Sequence, residues 1–535
     1  MNELHERVDV VVAGAGPVGL MLACELGLAG VRVTVLERRT DIDQTIKAGA
    51  LNHPTLQALD RRGLSPKLAE AREATLARMA EFRRMQAEAA AAKQAAQQAQ
   101  QADQPAGQPG VQPPQPGRPE QRPVKFVGHF GGLLLDGNNL DPADPDLAGE
   151  ARLGTLGMVS QQQLEAILEE RAIELGVDIR RGVTLTSFED HGDRVVITTD
   201  QGVLEAGWLA GCDGGRSTVR KLAGFDFPGT DPEITAYQAM AEMTDTDGLE
   251  PGWHITPTGV YAFGPMPGRV LVAEFGGAPT DRTSPVTEAE LEGAVRRVTG
   301  VPVTVTGIKT CTRFTDNARQ VPVYRQGRVL LAGDAAHVHS PFGGQGLNLG
   351  VGDAMNLGWK LAATIAGWAP EGLLDTYTAE RHPIGAWVLN WTRAQIAIMR
   401  PDPHARAIRA VVEDLAGTVD GTTYLAKRIS GVWQHYDLAG DHPLTGRSAP
   451  ELELSDGSCL PDHLHAGRTV LFDFSDDAEL RAAADEYADR LTVVTANAAG
   501  SELRALLVRP DGFVAWASEE PGAGELPKRL AEWLG

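Results

Sequence analysis

Residues Gly14-Ala15-Gly16-Pro17-Val18-Gly19 constrain the start of this chain more than any other segment. They lie between a nearly continuous apolar run, Val8 to Ala13, and a helical stretch from about Pro17 to Ala29 that Gly30 stops. Such a run fits a strand buried on both faces of a parallel sheet. Val31 to Leu36 reads as a second strand, which completes a βαβ unit with a Gly-x-Gly-x-x-Gly turn at its first corner. Glycines there permit a tight turn and close approach of a pyrophosphate to a helix N-terminus, whose free N–H groups and dipole favour an anion. Glu37 ends the second strand, where a carboxylate accepts hydrogen bonds from a ribose 2′-OH and disfavours a 2′-phosphate. The bound nucleotide is therefore expected to be FAD or NAD rather than NADP, with Gly14, Gly16, Pro17, Gly19, Glu37 and Arg38 as its contacts.

Two further turns extend this reading. Asp213-Gly214-Gly215-Arg216-Ser217 and Gly333-Asp334-Ala335-Ala336-His337 follow in order, and Arg328 to Ala332 delivers the latter as a buried strand. Three such turns suit one long cofactor, FAD, held at three points. After the third comes His339-Ser-Pro-Phe-Gly-Gly-Gln-Gly-Leu-Asn348, where Pro341, Gly343, Gly344 and Gly346 shape a loop that opens a helix to about Ala366. Backbone N–H groups at that helix start, with Leu347 and Asn348, would face the N1/C2=O edge of an isoalloxazine and stabilise negative charge there. His337 and His339 read as packing and hydrogen-bonding residues of the loop. No catalytic acid–base pair and no metal-ligand spacing is evident.

The chain has 535 residues, which implies two or three domains. Its formal charge of −22 argues against nucleic acid or an anionic membrane as a partner. No apolar run approaches the roughly 20 residues that span a bilayer. Four scattered cysteines without a CxxC and no visible signal peptide fit a reduced, cytoplasmic protein. The expected division is 1–84, cofactor-binding, first part; 85–124, an Ala/Gln- then Pro/Gln-rich insertion; 125–150, strands of the substrate domain; 151–226, cofactor-binding, second part; 227–320, a substrate-binding sheet; 321–442, the third cofactor-binding part with a helical segment; and 443–535, a small α/β domain.

From about Val8 to Tyr436, apart from the insertion, the chain resembles the class A FAD-dependent aromatic monooxygenases, the para-hydroxybenzoate hydroxylase-like family. The stretches around His129-Phe-Gly-Gly-Leu133, Cys212 to Thr230, and Tyr436-Asp437 with His442-Pro443-Leu444 are most similar to angucycline-type polyketide hydroxylases. The resemblance implies an α/β fold: a Rossmann-like FAD-binding domain, an inserted β-sheet substrate domain and a C-terminal thioredoxin-like domain that lacks CxxC. It implies FAD contacts at Asp213, at Asp334 through the ribityl hydroxyls, at Gln161, and at Lys47, which replaces the family's arginine and loses its bidentate fork. It places His129 and Phe130 near the ring-binding cavity.

The implied reaction uses NADPH or NADH and O2 to hydroxylate a polycyclic aromatic polyketide through a flavin C4a-(hydro)peroxide, in antibiotic biosynthesis. Baeyer–Villiger oxygenation of a polyketide ketone, an antibiotic-inactivating hydroxylase, and a non-catalytic flavin-binding assembly protein are the alternatives. A monomer or a homodimer is expected.

Overall fold

The computed structural model describes residues 7–81, 84, 124–148, 156–264, 266–282 and 284–535. The expected insertion, 85–124, lies outside them except for Val124.

The apolar run that opens the chain forms the strand Arg7–Ala13, with Val10, Val11 and Val12 fully buried. It sits inside an eight-stranded sheet whose main path runs Arg325–Gln326, Val329–Leu331, Gly202–Gly211, Arg7–Ala13, Val33–Glu37 and Asp178–Arg181. The pairings from Val329–Leu331 to Asp178–Arg181 are all parallel. A hairpin, Leu185–Asp190 with Val195–Thr199, adds antiparallel strands beside Gly202–Gly211. Helix Pro17–Leu28 packs against helices Gln161–Glu174 and Gly346–Ala366, which gives one continuous core with the sheet.

A second, five-stranded antiparallel sheet comprises Gly252–Ile255, Gly259–Phe263, Arg269–Glu274, Thr235–Thr244 and Thr304–Phe314. Its two faces have different partners because side chains alternate along each strand. Tyr237, Ala239 and Ala241 pack under helix Glu288–Thr299, which presents Leu291, Ala294, Val295 and Val298. Ala236, Val260 and Ala273 meet Phe342, Ile396 and Met399 on the other side. The latter two lie on helix Thr376–Met399. One face of this sheet is therefore turned toward the loop that follows the third turn motif.

Two strands expected in the substrate domain lie outside its sheet. Phe126–Phe130 and Leu133–Asp136 pair only with each other, as a separate two-stranded sheet, and do not extend the substrate sheet. Their inner residues Val127, Phe130, Leu133 and Leu135 pack on Trp391, Ile398, Leu425 and Ile429. The C-terminal residues form the sheet Leu491–Thr495, Thr469–Asp473, Ala505–Val508 and Val514–Ser518. Alternation again splits its core: Leu471 and Leu507 face helix Leu526–Leu534 and Trp359, while Val470, Phe472 and Leu506 face the Leu454–Leu464 segment.

Candidate active site

The three turn motifs end three neighbouring parallel strands, Arg7–Ala13, Gly202–Gly211 and Val329–Leu331. Ligands of open parallel sheets bind outside such carboxyl ends. The turns are also locked to one another. Cys212 N–H donates to Ala13 O (2.8 Å) and Ala332 N–H to Gly211 O (3.1 Å). Arg220, buried and lying over the Phe227 ring, donates to Ala335 O and Gly215 O (2.9 Å each) and so bridges the second and third turns.

Each glycine of the first turn has its own geometry. Gly14 adopts φ +107°, and a Cβ there would stand 2.5 Å from the Cys212 carbonyl oxygen. A Cβ on Gly19 would run into the Gly14 carbonyl. Gly16 has open space around its Cβ position and is the N-cap of a helix that no side chain caps. Uncapped first-turn N–H groups are ready for an anion. Pro17 opens that helix, and Glu37 reaches across to the turn, its carboxylate accepting from the N–H groups of Ala15 and Arg39 (2.9 Å each). Arg38 follows it, exposed.

In the second turn, Asp213 accepts from Thr218 N–H (2.6 Å) and Val219 N–H (3.2 Å) through one oxygen. Its other oxygen, Oδ1, is buried with no partner among the described residues. In the third turn Gly333 adopts φ +60° against Val18 of the first-turn helix, and Asp334 is exposed at the surface of the cradle. Asp353 anchors this turn from beneath, accepting from Gly333 N–H (3.0 Å) and facing His337 Nε2 (2.7 Å). The Asp353 carboxyl is driven up by burial, but His337 and Arg381 outweigh that and hold it below the ordinary range. His337 and His339 are loop-packing residues, as expected; burial depresses His339, whose Nδ1 bonds Ser340 O (2.8 Å).

The loop that follows has Gly343 at φ +95° and Gly344 at φ +64°, conformations open to glycine and strained for other residues. Pro341 is exposed and Phe342 buried. Helix Gly346–Ala366 starts without a side-chain cap and has no acidic residue in its first turn. Asn348 pins this start to the chain near Asn52: its Oδ1 accepts from Asn52 N–H and its Nδ2 donates to Gly344 O (2.9 Å each). Leu347, half-buried, sits beside it.

Lys47 and Gln161 lie next to each other and each has a partner in the protein. Lys47 Nζ pairs with Asp43 (2.8 Å), four residues back in its own loop. Gln161 Nε2 bonds Glu165 (2.7 Å), while its N–H reaches Ala48 O (3.0 Å). Gln162 and Gln163 are committed to the Thr45 carbonyl and to a capping box with Ser160.

An aromatic wall faces the Pro341–Gly344 loop. Phe342 meets Trp253 (centroids 5.9 Å) and Phe314 (5.8 Å) edge-on, and His129 lies over Trp253 at 5.0 Å. Burial lowers His129 to about 4, so its ring is neutral at physiological pH. Gly132 N–H approaches its Nδ1 at 3.4 Å, which leaves the proton on Nε2. Phe130, in contrast, is a core residue, tilted against Trp391 (4.6 Å) and 6% exposed. Gln395, which sequence reading missed, ties the wall together: Oε1 accepts from Gly131 N–H (3.0 Å) and Nε2 donates to Phe342 O (3.3 Å). No local signal marks it, because its partners are far away in the chain.

These features fit FAD: a buried unpartnered carboxylate oxygen, glycines whose Cβ positions are open at Gly16 and Gly344, and two uncapped helix starts. The comparisons with known proteins agree. Residues 7–392 match the FAD binding domain family, and residues 442–535 match the C-terminal domain of aromatic-ring hydroxylases. The chain thus belongs to the FAD-dependent aromatic-ring monooxygenases. Among its relatives is the 12-dehydrotetracycline 5-monooxygenase/anhydrotetracycline 6-monooxygenase of Streptomyces rimosus, 39% identical over 99% of both chains. The rifampicin monooxygenase of Streptomyces venezuelae is 36% identical over 98% of both. The solved structure of CabE, an aromatic hydroxylase from angucycline biosynthesis, superposes with a TM-score of 0.80 at 35% identity, covering 99% of both chains.

Proposed function

We propose that this monooxygenase uses NADPH or NADH and O2 to hydroxylate a polycyclic aromatic polyketide in antibiotic biosynthesis. The observation that carries the reading is the juxtaposition of two surfaces: an interlocked cradle at three strand ends, and an aromatic wall facing the loop and helix start that complete it. FAD, when bound, would accept electrons from the nicotinamide and use them to activate O2. Gly14, Gly16, Pro17 and Gly19 would hold its pyrophosphate, Glu37 and Arg38 its ribose end, and Asp213 and Asp334 its hydroxyls. Gly343, Gly344, Gly346, Leu347 and Asn348 would present N–H groups to its ring system, and Pro341 would pack against it.

Trp253 and Phe314, backed by buried Phe342, would offer planar apolar contact to fused rings and exclude water from them. His129 Nε2–H would donate to a phenol or quinone oxygen at the hairpin side. The catalytic contribution of the chain is positioning and electrostatics, with no acid–base pair required. In the domain division that goes with this reading, 443–535 is a thioredoxin-like appendage whose one cysteine, Cys459, excludes intramolecular dithiol exchange.

Purified protein should oxidise NADPH or NADH in response to polycyclic aromatic polyketides, with a product 16 mass units heavier. NMR of that product separates ring hydroxylation from insertion beside a ketone, the Baeyer–Villiger outcome. Turnover of finished antibiotics alone would support an inactivating enzyme, a reading favoured by the rifampicin-oxidising relative. A flavoprotein that consumes no reductant with any of them would contradict the proposal.

A further inference from the structure

We propose that the turn Arg509-Pro510-Asp511-Gly512 of the C-terminal sheet is a brace for the flavin cradle, with Arg509 as its positioning residue. It joins strands Ala505–Val508 and Val514–Ser518 and inserts among the helices that carry the cradle.

On one side it engages helices Gly346–Ala366 and Thr376–Met399. Arg509 forks onto both oxygens of Glu380 (3.0 and 2.7 Å) and also pairs with Asp511. Glu380 receives Lys360 Nζ (3.0 Å) and Asn356 Nδ2 (2.6 Å) from the facing helix. Arg509, Lys360, Asp511 and Glu380 are 0%, 0%, 3% and 7% exposed. Burial pushes Glu380 up, but Arg509 and Lys360 override it and bring it to about 2, so the carboxylate is ionised.

On the other side the Pro510 carbonyl accepts from Arg62 (2.6 Å), which forks onto Glu25 of the first-turn helix (2.6 Å to each oxygen). One turn of the appendage therefore reaches the helix of the third motif directly and that of the first through Arg62.

A second buried rung continues from this one to the cradle. Arg381, next to Glu380, donates to Asp353 (2.8 Å) and to Leu349 O in the first turns of helix Gly346–Ala366 (2.8 Å). Asp353 holds Gly333 N–H and His337, as described above. Tyr436 links the rungs: its hydroxyl accepts from Arg381 (3.3 Å), its ring lies under Arg509 (5.2 Å), and Phe513 stacks on it at 4.0 Å. The lower rung carries Lys360 and Arg509 against Glu380 and Asp511, a neutral set. Removing Arg509 leaves one uncompensated buried negative charge, which is strongly unfavourable, whereas removing Arg509 and the Glu380 charge together restores neutrality. The strain of the single change would be relieved by movement of the two helices, and so of Gly333 and the Gly346 helix start.

This inference rests on the FAD cradle proposed above, and the experiment keeps the two apart. Four full-length variants are stripped of flavin and titrated with FAD by fluorescence, and the midpoint potential of the rebound flavin is measured. Arg509→Met is expected to weaken FAD about tenfold, the scale for substitutions along a packed coupling network, and to shift the potential. The double variant Glu380→Gln/Arg509→Met should recover most of that affinity, which a purely steric role of Arg509 would not allow. Arg481→Met, which removes the partner of buried Asp473 elsewhere in the same domain, should leave FAD binding unchanged. The brace is overturned if Arg509→Met binds FAD like the parent, if the double variant is as weak as the single, or if Arg481→Met is equally impaired. Asp334→Ala, titrated in parallel, distinguishes the failures: loss of FAD there with tight FAD in Arg509→Met overturns the brace alone, and tight FAD in both overturns the cradle with it.

Discussion

A methyl group added at Gly16 would meet no atom within 4 Å, and the residue's φ of −75° suits any L-amino acid. Two positions back, a methyl on Gly14 would stand 2.5 Å from the Cys212 carbonyl oxygen at φ +107°. The two alanine variants should therefore fail in different ways. Gly14→Ala carries about 1–3 kcal/mol of backbone strain and about 1–3 kcal/mol of overpacking against a strand end that cannot move freely. Together these should lower the thermal midpoint by about 5 °C in a domain of this size. Gly16→Ala should keep the parent midpoint within about 2 °C, because nothing in the protein opposes it. Its added methyl would nevertheless occupy the approach of a pyrophosphate to the helix N-terminus. Losing one charge-assisted hydrogen bond there, at about 1.5–3 kcal/mol, should weaken FAD about 10- to 100-fold. Differential scanning fluorimetry of the apoprotein and a flavin-fluorescence titration measure both quantities on the same sample. A Gly16→Ala protein that binds FAD as tightly as the parent would refute the placement of the cofactor at this turn. A Gly16→Ala protein that unfolds with Gly14→Ala would refute the steric argument that separates them.

Other substitutions probe other parts of the site. Asp334→Ala, at an exposed side chain, should leave stability nearly unchanged and release FAD on gel filtration; a full flavin spectrum after desalting would count against the ribityl contact. Gln395→Leu leaves the buried Gly131 N–H unsatisfied and should cost about 1–3 kcal/mol in urea unfolding. Trp253→Ala should raise KM for a polycyclic substrate with FAD affinity unchanged, and an unaltered KM would remove Trp253 from the ring-binding wall. His129 should make stability pH-dependent. Because its folded value lies near 4, below the ordinary histidine value, the unfolded chain binds more protons between about pH 6.5 and 4. Stability is therefore lost as pH falls through that window. His339 and His382, both also lowered, act in the same direction, so the informative quantity is the difference between the parent and His129→Gln. That difference should be largest near pH 4 and vanish above pH 7; a constant offset would contradict the burial argument.

The cradle was legible in the sequence because its chemistry is local. Positive-φ glycines, a strand before them and a helix after them leave a signature within about ten residues, and Gly14 to Gly19 and Gly333 to Asn348 both carry it. The aromatic wall and the buried ion pairs were not legible. Gln395 meets Gly131 across 264 residues, and Arg509 meets Glu380 across 129, separations at which no periodicity operates. The hairpin Phe126–Asp136 shows the same limit in another form. A strand-like sequence does not say which surface its buried face will meet, and here that face met helices rather than the substrate sheet.

Isotopic labelling tests the central claim most directly. With the reconstituted FAD enzyme, NADPH or NADH, and a polycyclic aromatic polyketide that stimulates reductant oxidation, turnover under 18O2 should give a product carrying one 18O atom. The same reaction in H218O under 16O2 should give unlabelled product. Label entering from water, or reductant oxidised only to hydrogen peroxide with the substrate recovered intact, would contradict the assignment.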